Sequence, residues 1–244
     1  MNVTLTDHLV CPRCGPPFGL VLLAREVRER RVHEGEFGCP NCRDRFPVEG
    51  GFGDLRPPPL GVGPGEEGGV AEVEEESGVG GSEGDPRGVG DLQASALRLG
   101  AALGVTGGPG LVVVSDGHRA EAAALARLVR GIEVVVVGWG GRGLSGDGVS
   151  AFVTGPRLPL RDAVARGVVV EGGSGAGWWG ECFRVVMPGG RIVITGATGE
   201  AREWVVAAGL VTLLDEGGMV VGGVAAPGTG PRMGRWGGVG GDGP

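Results

Sequence analysis

Between residues 91 and 226 the apolar residues fall into short unbroken blocks instead of alternating with polar ones. Residues 111–115, 132–138, 150–155, 167–172 and 191–196 are such blocks, rich in Val and Ile and flanked by Gly, and each predicts a strand buried on both faces. Amphipathic stretches separate them. Residues 91–104 predict a helix opened by an Asp cap, residues 118–131 an Ala- and Leu-rich helix stopped by Gly131, and residues 201–210 a further helix. Residues 178–187 predict one closed by Pro188, Gly189 and Gly190. Strands apolar on both sides that alternate with helices imply an α/β architecture with a mainly parallel sheet covered on both faces. Residues 211–226 break this rhythm and predict a terminal antiparallel hairpin turning at Glu216, Gly217 and Gly218.

The first 56 residues read differently, as short β-prone runs punctuated by turns and by two cysteine pairs. Residues 57–90 mix Pro, Gly and Glu without periodicity, the pattern of a flexible acidic linker. The expected organisation is therefore a small unit at 1–56, a linker at 57–90, an α/β unit at 91–226 and a disordered tail at 227–244. Composition changes this picture little: 55 Gly and 17 Pro among 244 residues would suggest low complexity, but 41 % hydrophobic residues are enough for a core.

Charge excludes more. The net charge is −7, and residues 57–90 account for all of it, with eight acidic residues against Arg87. Neither flanking unit has the basic excess that displaces counterions from phosphates, so nucleic acid is disfavoured as a partner. All 22 basic residues are Arg; without Lys, P-loop nucleotide hydrolysis and Schiff-base chemistry are excluded. Arg25, Arg28, Arg30 and Arg31 form a run, but Glu26, Glu29 and Glu34 interleave and predict a self-paired, solvated face. No run of 18 apolar residues occurs and the start lacks a basic, then apolar leader, so no membrane association and a cytoplasmic location are expected.

In a reducing compartment, paired C-x-x-C spacing argues for metal. Cys11, Cys14, Cys39 and Cys42 form two such pairs around a 24-residue insert, and each turn allows two thiolates to converge on one tetrahedral zinc. Four thiolates leave no open position for a catalytic water, so the expected zinc is structural. Cys182 falls mid-helix and reads as a small buried hydrophobe. The pair Trp178 and Trp179 reads as packing residues at a helix start.

The cysteine segments HLVCPRCG and EGEFGCPNCRDRFPVEGGFGDLRP resemble the small zinc-ribbon family of tRNA- and rRNA-methyltransferase activator proteins, with Phe46-Pro47-Val48 and Gly51 to Leu55 standing for that family's closing elements. The resemblance implies a ribbon that packs an apolar face on a methyltransferase domain. Residues 91–226 resemble a class I S-adenosylmethionine-dependent methyltransferase, a Rossmann-like fold with a terminal hairpin. Gly155 to Asp162, Glu181 to Ile194 and Glu203 to Leu210 carry this likeness.

The resemblance implies S-adenosylmethionine as cofactor, yet the residues that would hold it depart from the pattern. The first strand should end in an acidic residue and Gly-x-Gly-x-Gly, where glycine lets the backbone approach the ligand. Here only Asp116 and Gly117 stand in that place. The second strand ends Val137-Gly138-Trp139 without the acidic residue for ribose, and Arg166-Gly167 replaces an Asp at the fourth. Gly138 to Gly143 match G-x-G-x-x-G, but no helix is expected to follow. Glu171, Gly173, Gly175 and Gly177 offer an acidic-x-Gly-x-Gly-x-Gly loop; as the first cofactor loop it would require a permuted fold, and otherwise it lies after the fourth strand at the ligand-binding edge. The candidate cofactor residues are thus Asp116, Gly117, Glu171, Gly173 and Gly175. Asp116 with His118 offers an acid/base pair, or Asp116 simply caps a helix. Three expectations remain open: a degenerate methyltransferase acting as a protein-binding scaffold, an active one with divergent loops at 115–118 and 171–177, and a ribbon-based nucleic-acid adaptor.

Overall fold

A computed structural model describes residues 1–58, 89–144 and 146–226. Most of the expected linker and the whole 227–244 tail lie outside the described residues. The N-terminal part comprises a short helix α1 (Val3–Thr6) and strands β1 (Val10–Cys11), β2 (Gly15–Gly19), β3 (Val21–Arg28), β4 (Arg31–Gly38), β5 (Arg45–Glu49) and β6 (Phe52–Leu55). The remainder runs α2 (Val89–Leu103), β7 (Gly110–Ser115), α3 (Arg119–Leu128), β8 (Ile132–Val137), β9 (Val149–Thr154), β10 (Ala165–Glu171), α4 (Ala176–Val185), β11 (Val186–Thr195), α5 (Gly199–Ala207), β12 (Val211–Glu216) and β13 (Met219–Gly223).

The five Val- and Ile-rich blocks form the parallel strands, and the last two strands pair antiparallel with each other and with β11. The sheet order is β12-β13-β11-β10-β7-β8-β9-β6-β5-β4-β3, eleven strands without a break. From β7 the chain steps outward to β8 and β9, then returns to lay β10 on the other side of β7. That reversal between β7 and β10 is the topological switch point of a Rossmann-like sheet, beyond whose carboxyl ends ligands bind.

The cysteine-containing segment joins this sheet directly. Strand β6 runs parallel to β9, pairing Phe52 with Ala151 through Leu55 with Thr154, and the antiparallel strands β5, β4 and β3 continue outward from it. A second contact is made where a crossover helix would normally join β9 to β10. There, Leu9 bridges Leu160, the Val10 N–H donates to the Pro159 carbonyl, and the Arg161 N–H donates to the His8 carbonyl. One core layer holds Leu5, Leu9, Phe37 and Phe46 together with Leu158, Leu160 and Trp179.

A buried polar network fastens the seam. Arg31 of β4 forks onto Glu133 of β8 at 3.3 Å and donates to the Val149 carbonyl at 2.7 Å. Ser150 donates to Glu133 at 2.5 Å, and Asn2 adds its side-chain amide to Glu133 at 2.9 Å and its backbone N–H to Ser150 at 2.8 Å. Each oxygen of the buried carboxylate is satisfied, as burial of a charge requires. The Arg run therefore divides. Arg28 pairs with Glu26 and Arg25 with Glu34 at the surface, while Arg31 turns inward.

One element prediction is corrected. Helix α4 ends at Val185 and β11 begins at once, so Pro188, Gly189 and Gly190 lie in the strand instead of closing the helix. The register jumps from Ala165 opposite Val186 to Gly167 opposite Arg191, and the extra residues bulge outward. A Cβ on Gly190 would meet the Arg166 carbonyl at 2.7 Å, which is why glycine stands there. Between β8 and β9 only a single helical turn (Trp139–Gly141) remains. Trp139 stacks on Phe52 of β6, with ring centres 6.2 Å apart, and the two rings cover the face that a crossover helix would cover.

Candidate metal centre and ligand crevice

The two C-x-x-C turns meet at one end of β1 and β2. One sulfur from each of Cys11, Cys14, Cys39 and Cys42 lies within 4.8 Å of all the others, the only such group of metal-binding side chains among the described residues. Cys11 Sγ is 3.6 Å from Cys42 Sγ, and Cys39 Sγ is 3.9 Å from Cys14 Sγ. The turns feed donors to the sulfurs: the Cys14 N–H reaches Cys11 Sγ at 3.3 Å, and the Asn41 amide reaches Cys14 Sγ at 3.3 Å. Arg13 and Asp44 lock the two turns together at 3.0 Å.

The thiols titrate far apart. Burial raises Cys11 to about 11 and pushes Cys42 up further. Burial also works to raise Cys39, but backbone N–H groups of Cys42 and Asn41 and neighbouring thiols outweigh it and hold it at about 7. Cys39 is therefore the thiolate favoured near neutral pH, while burial makes Cys11 and Cys42 resist following. A divalent cation removes that resistance, and four soft donors at tetrahedral reach fit zinc.

The second site lies at the switch point. Asp116, Gly117 and His118 form a tight turn after β7, and Glu171 ends β10 beside it. The structure thus brings Asp116, Gly117 and Glu171 together. A Cβ on Gly117 would collide with the Glu171 carboxylate, and one on Gly138 would meet Asp116 Cβ at 2.5 Å. Asp116 Oδ2 accepts the Gly140 N–H at 3.1 Å, so this carboxylate reaches across to the turn after β8. His118 Nε2 bridges to Thr195 Oγ1 of β11 at 2.8 Å. Asp116 caps no helix with its side chain.

Gly173 and Gly175 stand apart from that cluster, in the turn leading into α4, with open space where a Cβ would be. Gly175 has φ +82°, a conformation that favours glycine whether or not a ligand is bound. The Gly138 to Gly143 loop opens no helix, as expected. Between these loops lies a shallow crevice of about 480 Å³ walled by Arg56, Asp116, Trp139, Ser174 and Trp178. Sequence reasoning missed Arg56 as a wall residue, because its nearness to Trp139 depends on β6 joining β9. Trp179 is buried against Trp204 at 5.7 Å, the packing role expected of it, and Cys182 is buried beside it in the same helix. Three buried polar atoms at the turn, Ser115 Oγ, Asp116 Oδ1 and His118 Nδ1, have no hydrogen-bond partner among the described residues.

No protein-family model and no curated protein sequence matches the chain. Parts of solved structures are similar to it. One is an assigned S-adenosyl-L-methionine-dependent methyltransferase from Methanococcus maripaludis, 14 % identical over 55 % of this chain and 85 % of that one, with a TM-score of 0.44. An O-methyltransferase family protein from Burkholderia thailandensis is 16 % identical over 56 % of this chain and 57 % of its own, at a TM-score of 0.43. Geranyl diphosphate C-methyltransferase from Streptomyces coelicolor is 20 % identical over 46 % and 50 %, at 0.34. The chain thus spans about half of the last two.

Proposed function

We propose that this chain is a zinc-stabilised, methyltransferase-like scaffold whose cofactor crevice is taken up by its own carboxylates. The observation that carries this is the placement of Glu171 on Gly117 and of Asp116 on Gly138 and Gly140. In a working crevice of this fold, glycine leaves the backbone bare for the ligand. Here the bare backbone is covered from within. Loss of an acidic residue at the end of β8, where Trp139 turns toward Phe52, supports the same reading.

The ribbon fits an activator-type module fused in cis, since it packs apolar residues on the α/β part and extends its sheet. Its zinc is structural. The partner is a protein: Val21, Leu23 and Val27 stand exposed on the edge strand β3, and Val211, Leu213 and Leu214 on the opposite edge strand β12. Among the described residues no helix is long and apolar enough to cross a membrane, and we place the protein in the cytoplasm.

A second reading, an active methyltransferase with displaced loops, draws on the open space over Gly173, Gly175 and Gly177 and on the unpartnered atoms of Ser115, Asp116 and His118. Calorimetric titration of the zinc-loaded protein with S-adenosylmethionine and its demethylated product separates the two. The scaffold reading expects no heat of binding up to millimolar ligand, and micromolar affinity for either ligand overturns it.

A further inference from the structure

Arg13 lies inside the first cysteine turn, between Cys11 and Cys14, and its guanidinium faces two ways. One nitrogen donates to Asp44 of the second turn at 3.0 Å, and the other to the Pro58 carbonyl at 3.2 Å. Pro58 follows two residues after Arg56, past the end of β6, where no strand partner holds the backbone. The Arg56 guanidinium is itself held on both oxygens of Asp54, at 2.9 and 2.6 Å, and lies 4.5 Å from the centre of the Trp139 ring. Arg56 and Trp139 are both walls of the crevice. Arg13 thus ties the cysteine turns to Pro58, which is joined through Pro57 along the backbone to Arg56, and Arg56 meets Trp139.

The Arg13 contact with Asp44 is half exposed on the arginine side and adds little stability as an ion pair. Its consequence is geometric. A planar guanidinium has donors in a fixed fork, so satisfying Asp44 with one arm directs the other at Pro58. Both Arg13 and Asp44 belong to the cysteine turns, and their separation is set by how tightly the four sulfurs are drawn together.

We propose that the cysteine centre shapes the crevice through Arg13: metal holds the two turns closed, Arg13 then holds the chain at Pro58, and Arg56 stays against Trp139. Arg13 is a positioning residue, since it touches no crevice atom. The proposal goes beyond the scaffold reading and rests on the zinc assignment only for its metal arm.

The test uses the full chain labelled with ¹⁵N, zinc-loaded, with metal content measured for every sample. The indole N–H resonance of Trp139 is assigned by its loss in Trp139→Phe. In fully zinc-loaded Arg13→Ala this resonance shifts by more than its linewidth, and chelation of the unsubstituted protein shifts it in the same direction. The resonances of Trp179 and Trp204, in the other core layer, stay in place in Arg13→Ala. Arg13→Lys, which reaches only one of the two partners, gives a smaller shift. A Trp139 resonance unmoved in zinc-loaded Arg13→Ala overturns the proposal, and so does one that moves there only together with those of Trp179 and Trp204. A wild-type protein that takes up no zinc overturns the metal arm, and the same Arg13→Ala comparison, made on the metal-free chains, then decides the tether.

Discussion

The cysteine centre, where the β1–β2 pair meets the turn between β4 and β5, and the switch-point crevice at β7 and β10 are built in opposite ways. At the centre, four donors converge and none of them neutralises another, so the arrangement is complete only with a cation. At the crevice, Asp116 and Glu171 lie on Gly117, Gly138 and Gly140, so the space over those three glycines is filled by the protein itself, while that over Gly173 and Gly175 is open. Residue types typical of a ligand site are present in both. Under the scaffold reading proposed above, the direction of the side chains is what distinguishes a site that waits for a ligand from one covered by its own carboxylates.

The largest expected effect comes from removing the metal. Structural zinc contributes on the order of 10 kcal/mol to folding at neutral pH. Strand β6 pairs with β9 and Leu9 with Leu160, so the loss is not confined to the ribbon. Chelation lowers the melting temperature of the α/β part by roughly 10 °C or more. An unchanged transition in differential scanning calorimetry would separate the two halves energetically and undo the picture of one cooperative sheet.

Next in size is the seam. Glu133→Ala leaves Arg31 buried without its partner and costs about 3–5 kcal/mol. Urea unfolding measures this, and a loss under about 1 kcal/mol would mean that water reaches the seam. The crevice yields a sharper comparison through a double-mutant cycle. Gly117→Ala alone collides with Glu171 and costs about 1–3 kcal/mol, since φ there is not in the left-handed region and the carboxylate is the obstacle. In a Glu171→Ala background the same change costs less than about 0.5 kcal/mol. Equal costs in both backgrounds would show that Glu171 does not fill the space.

The smallest effect concerns Cys182. Burial pushes this thiol up to about 12, against 9.0 when free. The folded protein therefore keeps a proton that the unfolded chain loses, and this contribution to stability, complete below pH 9, disappears as pH rises toward 12. Relative to Cys182→Ala, the wild type loses stability more steeply above pH 9. Parallel pH profiles would place the thiol in contact with solvent.

Much of this is legible in the amino-acid sequence. The Val and Ile blocks announced the parallel strands, because a strand buried on both faces has no polar positions to spare. The cysteine spacing announces the convergence of four sulfurs, because two C-x-x-C turns supply four donors of one kind. Of the candidate cofactor residues, Asp116, Gly117 and Glu171 meet, whereas Gly173 and Gly175 stand apart with open space over them. Glu133 was overlooked although it carried a signal: a charge inside an otherwise apolar block must find a buried partner.

The sequence by itself determined the elements, their alternation and the four sulfur donors, since period, propensity and short spacing are local properties of the chain. Tertiary structure alone decided that β6 adds to β9, that Arg31 rather than its neighbours turns inward to Glu133, and that Asp116 and Glu171 fold over the glycines. Those outcomes depend on groups far apart in the chain, 102 residues in the case of Arg31 and Glu133. Such pairings are selected by the burial and hydrogen bonding of the whole sheet, which no local pattern encodes.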